Sequence, residues 1–298
     1  MRENKELKQL NARTGGLYYT FTIALFVTVS FLGQALMGAI AEKASTIYIA
    51  VCSTFSAITF FAVIAYAIFY AKIQPKQIVG EGFGAKYLPI ALILACGMFL
   101  GLGYLNEAIA RIFIGFGLNV SGISVPLKTP LHFIYFSVTL ALLPAIAEEL
   151  FFRGIILNSL SGAKKVYAIL ISALCFALYH CSVAQLAYQF IYGVALGFLF
   201  VTAKSVFPCI VAHFINNFTV LCLEYYKVQV DLFSLTLIAI GVLCLAIFSA
   251  VIFLVLSKRK SKEHIEQKQK GEVQNFLFPY SLFAFVVCIV LAVGALVG

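Results

Sequence analysis

The stretch Ala147-Glu148-Glu149-Leu150-Phe151-Phe152-Arg153-Gly154 places three charges inside an otherwise apolar run, residues 131–160. A run of that length is long enough to cross a bilayer. Insertion scales put a single charged side chain at the centre of a membrane helix at roughly 2.5–3.5 kcal/mol. A chain that keeps three charges together in such a place is expected to use them.

Helical spacing separates the two glutamates. Glu149 and Arg153 are four residues apart with the acid first, the order in which such pairs interact best on a helix. Glu148 points about 100° away from Glu149 around the helix, so we predict that Glu148 is the less neutralised carboxylate. Taken alone, the three charges are equally well explained by a structural ion pair between helices.

Two histidines lie in other apolar runs of the sequence. Phe176 and His180 are four residues apart, and so are His213 and Asn217, so each pair shares one helical face. A single buried histidine usually makes only a hydrogen bond between helices. Polar residues on three neighbouring spans each cost insertion energy, which favours one shared site.

The composition predicts an all-α fold, a polytopic membrane bundle with the site inside it. Hydrophobic residues make up 62% of the 298 positions and charged residues 11%, and the mean hydropathy is +1.01. These values exclude a soluble domain. The net charge of +9 does not indicate a nucleic-acid partner, because the basic residues lie in short loops. The eight cysteines lack C-x-x-C spacing and are interpreted as small core residues.

About eight or nine transmembrane helices are expected, in three regions of the chain. Residues 1–130 hold three spans and a short amphipathic connector at 106–117, residues 131–224 hold four spans and the candidate site, and residues 225–298 hold two spans and a charged loop at 258–272. The expected spans are 17–41, 47–71, 87–105, 131–160, 166–182, 184–203, 207–224, 232–257 and 276–297.

The positions of Lys and Arg predict how the chain is oriented in the cell membrane. Loops rich in Lys and Arg alternate with loops that are poor in them along all nine spans. By the positive-inside rule, the N-terminus is expected in the cytoplasm and the C-terminus outside.

Depths estimated from the helical rise place Glu148 and His180 at the same level in the membrane, but not His213. Glu148 and His180 each lie about 21–22 Å from the turn that joins their spans, so they can face each other. His213 is only about 10–14 Å from the turn at 204–207 and is predicted to be shallower, unless its span begins inside the membrane or tilts.

Three motifs in this order carry a family resemblance: E-E-x-x-x-R at 148–153, F-x-x-x-H at 176–180 and H-x-x-x-N at 213–217. They resemble the CAAX protease and bacteriocin-processing (CPBP) family, which includes the type II CAAX prenyl endopeptidases and the bacterial Abi membrane proteins. The resemblance covers residues 131–223, and the flanking spans are similar only in being hydrophobic.

The resemblance implies an intramembrane endopeptidase that acts on a peptide or membrane-protein substrate in the bilayer. It assigns catalytic roles to Glu148, Glu149, Arg153, His180, His213 and Asn217. Glu148 would be general base and acid, with His180 orienting the water. His213 and Asn217 would hold the carbonyl oxygen as its charge develops, and Arg153 would fix Glu149.

A zinc enzyme is the main alternative within this family, whose members are often described as metalloproteases. Glu148, His180 and His213 form a ligand set of the type found in catalytic zinc sites. The chain has no H-E-x-x-H motif, however. We therefore favour a mechanism without a cofactor.

Other function classes fit the sequence less well. An aspartyl intramembrane protease needs two membrane aspartates, and Asp231 is the only aspartate in the chain. The G-x-S-G motif of rhomboid proteases is absent. A non-proteolytic protein with the same fold, such as a bacteriocin-immunity or scaffold protein, remains the alternative to an enzyme.

Overall fold

The computed structural model describes residues 9–38, 46–118, 120, 125, 127–260 and 272–297. Helices dominate this part of the chain. They are α1 (Ala12–Gly38), α2 (Thr46–Ala65), α3 (Pro75–Val79), α4 (Leu88–Gly115), α5 (Pro130–Phe136), α6 (Leu143–Glu149), α7 (Lys165–Tyr179), α8 (Val183–Ala203), α9 (Phe207–Tyr226), α10 (Leu235–Lys260), α11 (Glu272–Phe276) and α12 (Leu282–Val297).

Four segments with π-helical hydrogen bonding extend or join these helices, and a short 3₁₀ turn precedes α4. The π segments are Tyr66–Tyr70, Ser137–Leu142, Leu150–Leu157 and Leu277–Ser281, and the 3₁₀ turn is Ala85–Tyr87.

The prediction of a polytopic all-α bundle is confirmed. Within the described residues, eight helical segments are long and apolar enough to cross a membrane, and the 15-residue α7 coincides with the remaining expected span. The eight are Ala12–Ala35, Ile49–Tyr70, Ala85–Gly115, Pro130–Leu157, Val183–Ala203, Phe207–Tyr226, Leu235–Leu256 and Glu272–Leu296.

The expected amphipathic connector at 106–117 is not a separate helix. Helix α4 continues without a break to Gly115, and the Glu107–Arg111 ion pair lies on its exposed end. No proline or turn residue stops the helix before the glycine-containing sequence at 115–117, so the i,i+4 pair extends it. The charged loop expected at 258–272 falls largely on residues 261–271, outside the described residues.

The long segment Pro130–Leu157 holds the two glutamates and runs between two apolar clusters. One cluster includes Phe151, Phe152 and Phe176, and the other includes Leu157, Tyr192 and Leu196. Around this segment pack α2, α3, α7 and α9, while α8 lies against α7. The charged stretch is therefore buried among these helices.

The stretch that follows Glu149 is π-helical over the eight residues Leu150–Leu157. Side chains donate to two of its carbonyl oxygens: Ser172 Oγ to Phe152 at 2.7 Å, and Asn158 Nδ2 to Gly154 at 3.1 Å. A Cβ on Gly154 would lie 2.5 Å from the carbonyl oxygen of Ile78, so only glycine admits α3 at this distance. Single π turns within α-helices occur frequently at functional sites.

The turn between α8 and α9 is covered by protein. Glu81 N donates to Lys204 O at 2.6 Å, and Val206 N donates to Val79 O at 3.1 Å. Gly80 has φ +89°, and a Cβ there would lie 2.4 Å from Lys204 O, so the close approach requires glycine. Helix α9 therefore begins beneath the segment 79–84.

Candidate functional site

The candidate site lies where the end of α6, the end of α7 and the second turn of α9 meet. Glu148 and Glu149 end α6, His180 caps α7, and His213 is in α9. Glu148, Glu149, Arg153 and His213 are all buried, with at most 6% of each residue exposed. Charged and titratable groups at this depth need partners, because burial of an unpaired charge is strongly unfavourable.

Arg153, Glu149 and His213 form a continuous hydrogen-bonded chain. Arg153 Nη1 lies 2.8 Å from Glu149 Oε1, and His213 Nδ1 lies 2.9 Å from the same oxygen. Arg153 also donates from Nη2 to the carbonyl oxygen of Gly193 at 3.1 Å, and its guanidinium carbon lies 4.6 Å from the centre of the Phe176 ring. The i,i+4 pair expected from spacing is present, and it continues to a histidine on another helix.

This chain fixes the tautomer of His213. A carboxylate that is paired with an arginine accepts hydrogen bonds, so Nδ1 of His213 carries the proton and donates it to Glu149. In the neutral ring Nε2 is then an acceptor, and it lies 3.9 Å from Glu148 Oε2. His213 would donate to a substrate oxygen only in its protonated form. Its first contact is therefore with the two glutamates. The resemblance implied a different role for His213, as a donor to the carbonyl oxygen of the substrate together with Asn217.

Glu148 is the less neutralised carboxylate, as its position on the helix predicts. Within the described residues, Glu148 Oε2 has no hydrogen-bond partner, although it is buried. The 3.9 Å gap to His213 Nε2 is too long for a direct hydrogen bond and is suited to an oxygen atom shared by both groups. The two atoms can therefore act on one water or substrate oxygen.

His180 is held in one orientation at the end of α7. Its Nδ1 lies 2.8 Å from the carbonyl oxygen of Phe176. Because a carbonyl only accepts, Nδ1 donates, and Nε2 of the neutral ring is an acceptor. The Phe176 ring packs against both imidazoles, with centroid distances of 4.9 Å to His180 and 5.7 Å to His213. The phenylalanine thus lies between the two histidines and sets their separation.

The part of the chain that carries the candidate site also matches a known protein family. Residues 130–219 match the family model described as type II CAAX prenyl endopeptidase Rce1-like. The resemblance to the CPBP family is confirmed over this segment. The match includes every residue assigned to the site and about a third of the chain. No curated protein and no solved structure matches the chain.

Asn217 is less buried than the neighbouring Asn216. Asn216 is the buried member of the pair Asn216–Asn217, and its Oδ1 accepts a hydrogen bond of 2.8 Å from the hydroxyl of Tyr188. Asn217 is only partly buried, and its Oδ1 lies 3.5 Å from Asn216 Nδ2. Asn217 therefore lies next to Asn216, whose side chain is oriented by the hydrogen bond from Tyr188 on α8.

Two tyrosines on α8 contact residues of the candidate site, although the sequence motifs do not include them. The Tyr192 ring lies 5.9 Å from the ring of His213, and the Tyr192 hydroxyl is buried without a hydrogen-bond partner in the described part of the chain. Tyr188 and Tyr192 are spaced i,i+4 in an apolar span, as Phe176 and His180 are. That spacing was the available signal, but tyrosines are common enough in membrane helices that it does not stand out.

The set Glu148, His180 and His213 does not form a ready metal centre in this conformation. Among the described residues, no three His, Cys, Asp or Glu side chains are grouped so that they could hold a metal ion. His213 Nδ1 is used by Glu149, and His180 Nδ1 by a carbonyl oxygen, so zinc would have to be bound through the two Nε2 atoms. The residues as placed do not fit such a site without rearrangement.

The structure also corrects the expected depth of His213. Helical rise predicted that His213 would be shallower than Glu148, but its ring contacts Glu149 and faces Glu148. The reason is that the turn at 204–207 lies beneath residues 79–84.

Proposed function

We propose that this protein is an intramembrane endopeptidase of the CAAX protease type. The observation that carries the proposal is the buried, unbonded Oε2 of Glu148 facing His213 Nε2, with His213 fixed by Glu149 and Arg153. The family match supports a protease, since the matched family consists of endopeptidases by its description. The substrate would be a peptide or the tail of a membrane protein that reaches the site within the bilayer.

In the proposed reaction Glu148 acts twice. It takes a proton from a water that is also within reach of an imidazole Nε2, and the hydroxide attacks the carbonyl carbon of the peptide bond. The carbonyl double bond becomes an oxyanion. Glu148 then returns the proton to the leaving amine as the C–N bond breaks, so that two peptides are released and the carboxylate is regenerated.

The fixed charges around Glu148 suit this role. Arg153 neutralises Glu149, so the neighbouring carboxylate does not compete with Glu148 for a proton. His180 and His213 each have Nδ1 committed to an acceptor and Nε2 available to the water. Asn217, positioned through Asn216, is the proposed donor to the oxyanion.

Cleavage of reporter peptides tests the enzyme assignment directly. The purified chain would be incubated with membrane-anchored peptides, with and without a lipidated cysteine, and the products identified by mass spectrometry. Cleavage at a defined bond is expected. If no peptide of either kind is cut, and any cellular phenotype survives Glu148→Gln, the protein is a non-proteolytic member of the fold.

Chelation tests the proposal that no cofactor is needed. Activity is expected to survive exhaustive chelation, and elemental analysis is expected to find no stoichiometric zinc in the active protein. If a metal supplied the hydroxide, chelation would stop cleavage and added zinc would restore it. In that case His213→Ala would also lower bound zinc, whereas Asn217→Ala would not.

Variants of the carboxamide pair test which asparagine stabilises the oxyanion. Asn217→Ala is expected to lower kcat by about 10²–10³, the usual loss for one oxyanion donor. Tyr188→Phe removes the hydrogen bond to Asn216 and is expected to cost much less, because it acts only on the orientation of the pair. If Asn216→Ala lowers kcat as strongly while Asn217→Ala is mild, the donor is Asn216.

The orientation in the membrane is proposed from the loop charges alone. With the N-terminus in the cytoplasm, cysteines introduced at 262 and 268 are expected to be labelled only from the cytoplasmic side. A cysteine introduced at 229, in the loop after α9, provides the opposite control. Labelling of 262 from outside the cell would reverse the assignment.

A further inference from the structure

A group of cysteines lies beside the candidate site, around the short joint between α7 and α8. Cys181 follows His180 directly in the chain, and Cys175 belongs to α7. Cys288 comes from α12, which packs against both α7 and α8. All three side chains are free thiols. The proposed mechanism of peptide hydrolysis uses none of them, so their grouping needs a separate explanation.

The side chains of Cys181 and Cys288 face each other. Their thiols are hydrogen-bond partners, although the two residues belong to separate elements of the fold. Cys288 is fully buried, whereas Cys181 is partly exposed. A small reagent can therefore reach the pair from the side of Cys181, while Cys288 is reached only through its partner.

Tyr19, in α1, determines the direction of the hydrogen bonds in this group. Its hydroxyl lies 3.3 Å from the carbonyl oxygen of Cys175, which can only accept, so the hydroxyl hydrogen is donated there. The hydroxyl oxygen lies 3.9 Å from Cys288 Sγ and is left to accept from the Cys288 thiol. The Cys288 sulfur can then accept from the Cys181 thiol. The two sulfur atoms are thus held towards each other.

The joint that carries Cys181 has a closely determined backbone. Cys181 has φ +46°, a left-handed conformation that is uncommon for residues other than glycine. Its N–H donates to the carbonyl oxygen of Leu178 at 3.0 Å. His180 is bound through Nδ1 to the carbonyl oxygen of Phe176. A displacement of Cys181 is therefore transmitted to His180 through the single peptide bond that joins them.

We propose that Cys181 and Cys288 form a reversible disulfide that lowers the peptidase activity when a peroxide oxidises the pair. The Cys181 sulfur attacks hydrogen peroxide and gains one oxygen as a sulfenic acid, while the O–O bond breaks and water leaves. The Cys288 sulfur then displaces that oxygen as a second water. Both thiols are oxidised, the peroxide is reduced, and the two thiol protons leave in the two waters. A dithiol reductant reverses the reaction by thiol–disulfide exchange.

The expected loss of activity comes from movement of the joint. Bonded sulfur atoms lie about 2.05 Å apart, which is shorter than a hydrogen-bond contact between two thiols. Closing that distance pulls Cys181 towards α12, and His180 is the residue next to it. Misplacement of a catalytic group by about 1 Å can cost about 10²-fold, so oxidation is expected to lower kcat at least about tenfold. This effect on rate rests on the proposed function, whereas the disulfide itself does not.

Peptide mapping of the full-length protein tests the disulfide without reference to activity. The purified chain in detergent would be treated with hydrogen peroxide, its remaining thiols alkylated, and its peptides analysed by mass spectrometry with and without dithiothreitol. A linked peptide that contains Cys181 and Cys288, and that dithiothreitol separates, is expected. Recovery of both cysteines as alkylated thiols after peroxide treatment would overturn the proposal, and so would a link from Cys181 to a different cysteine.

Matched serine variants test the effect of the disulfide on cleavage. The wild-type rate is expected to fall at least about tenfold with peroxide and to recover with dithiothreitol. Cys181→Ser is expected to keep the reduced wild-type rate and to be insensitive to peroxide. Cys222→Ser, which alters another partly buried thiol, on α9, is expected to remain as sensitive as the wild type. Cys288→Ala provides a second insensitive variant if Cys181→Ser folds poorly.

The two proposals fail in different ways. Equal losses of rate in Cys181→Ser and the wild type would assign the effect to oxidation elsewhere and overturn the role of the pair. A linked pair with an unchanged rate would overturn its control of activity. Failure of the proposed function would instead appear as no cleavage by the fully reduced protein, with the disulfide still detected by mass spectrometry.

Discussion

The Glu148→Gln variant is expected to lose about 10²–10⁴-fold in cleavage rate, the range contributed by a general acid–base group. Glutamine keeps the size of the side chain but cannot take a proton from water. Because Oε2 of Glu148 has no hydrogen-bond partner within the described residues, its loss should leave the fold intact. Rates would be measured on purified protein with the most rapidly cut reporter peptide, and the melting temperature would be measured in parallel.

A carboxylate elsewhere on the site-bearing helix α9 supplies the control for this experiment. Glu224 is exposed near the end of α9, and Glu224→Gln makes the same chemical change away from the site. It is expected to retain the wild-type rate. If Glu148→Gln also retained a near-normal rate, Glu148 would not be the general base, and the proposed mechanism would fail.

The Arg153→Ala variant is expected to have the largest effect on stability, a loss of about 3–5 kcal/mol. The change removes both the partner of Glu149 and the hydrogen bond to the carbonyl oxygen of Gly193, at a position with no solvent exposure. Glu149 would remain as a buried carboxylate bound only by His213. Thermal unfolding in detergent and the folded yield would report the loss.

Arg111 provides a matched comparison in the same chain. It also pairs with a glutamate four residues earlier and lies over an aromatic ring, Phe233, but its side chain is 67% exposed. Arg111→Ala is therefore expected to cost no more than about 1 kcal/mol. Equal losses in the two variants would contradict the view that burial gives the Arg153–Glu149 pair its importance.

Relief of the stranded charge is a second check on the same argument. Adding Glu149→Gln to Arg153→Ala removes the uncompensated carboxylate while leaving an oxygen that can accept from His213 Nδ1. The double variant is expected to regain part of the stability that Arg153→Ala loses. If the double variant is less stable than Arg153→Ala, the main contribution of Arg153 is its packing on Phe176 and its bond to Gly193.

Local rules predicted those parts of the site that depend on neighbouring residues within one helix. The Glu149–Arg153 pair and the more isolated state of Glu148 both follow from i,i+4 spacing, and both are present. The hydrophobic runs likewise predicted where the spanning helices lie. Each of these features is set by the order of side chains along one segment, which the sequence contains directly.

Features that depend on how segments lie against each other were not predictable in the same way. His213 contacts Glu149 although its estimated depth differed from that of the glutamates. The estimate counted 1.5 Å per residue from the turn at 204–207 and assumed that this turn lies at the membrane surface. In the structure, segment 79–84 packs over that turn. The pairing of Tyr188 with Asn216 joins residues from two helices. No spacing within a single helix encodes either contact.

The π-helical segment Leu150–Leu157 shifts the angular positions of the side chains along this part of the chain relative to a uniform α-helix. An i→i+5 turn contains one residue more than an α turn, so the segment acts as an accommodated insertion within the helix. Deleting one residue there with a return to α geometry would leave the flanking turns in their present phase, whereas a deletion in a regular α-helix rotates everything that follows by about 100°. Within the spanning helix, a one-residue difference in length among homologous sequences should therefore be tolerated best at these eight positions. A helical wheel drawn with one uniform period through 143–158 misplaces one of the two ends.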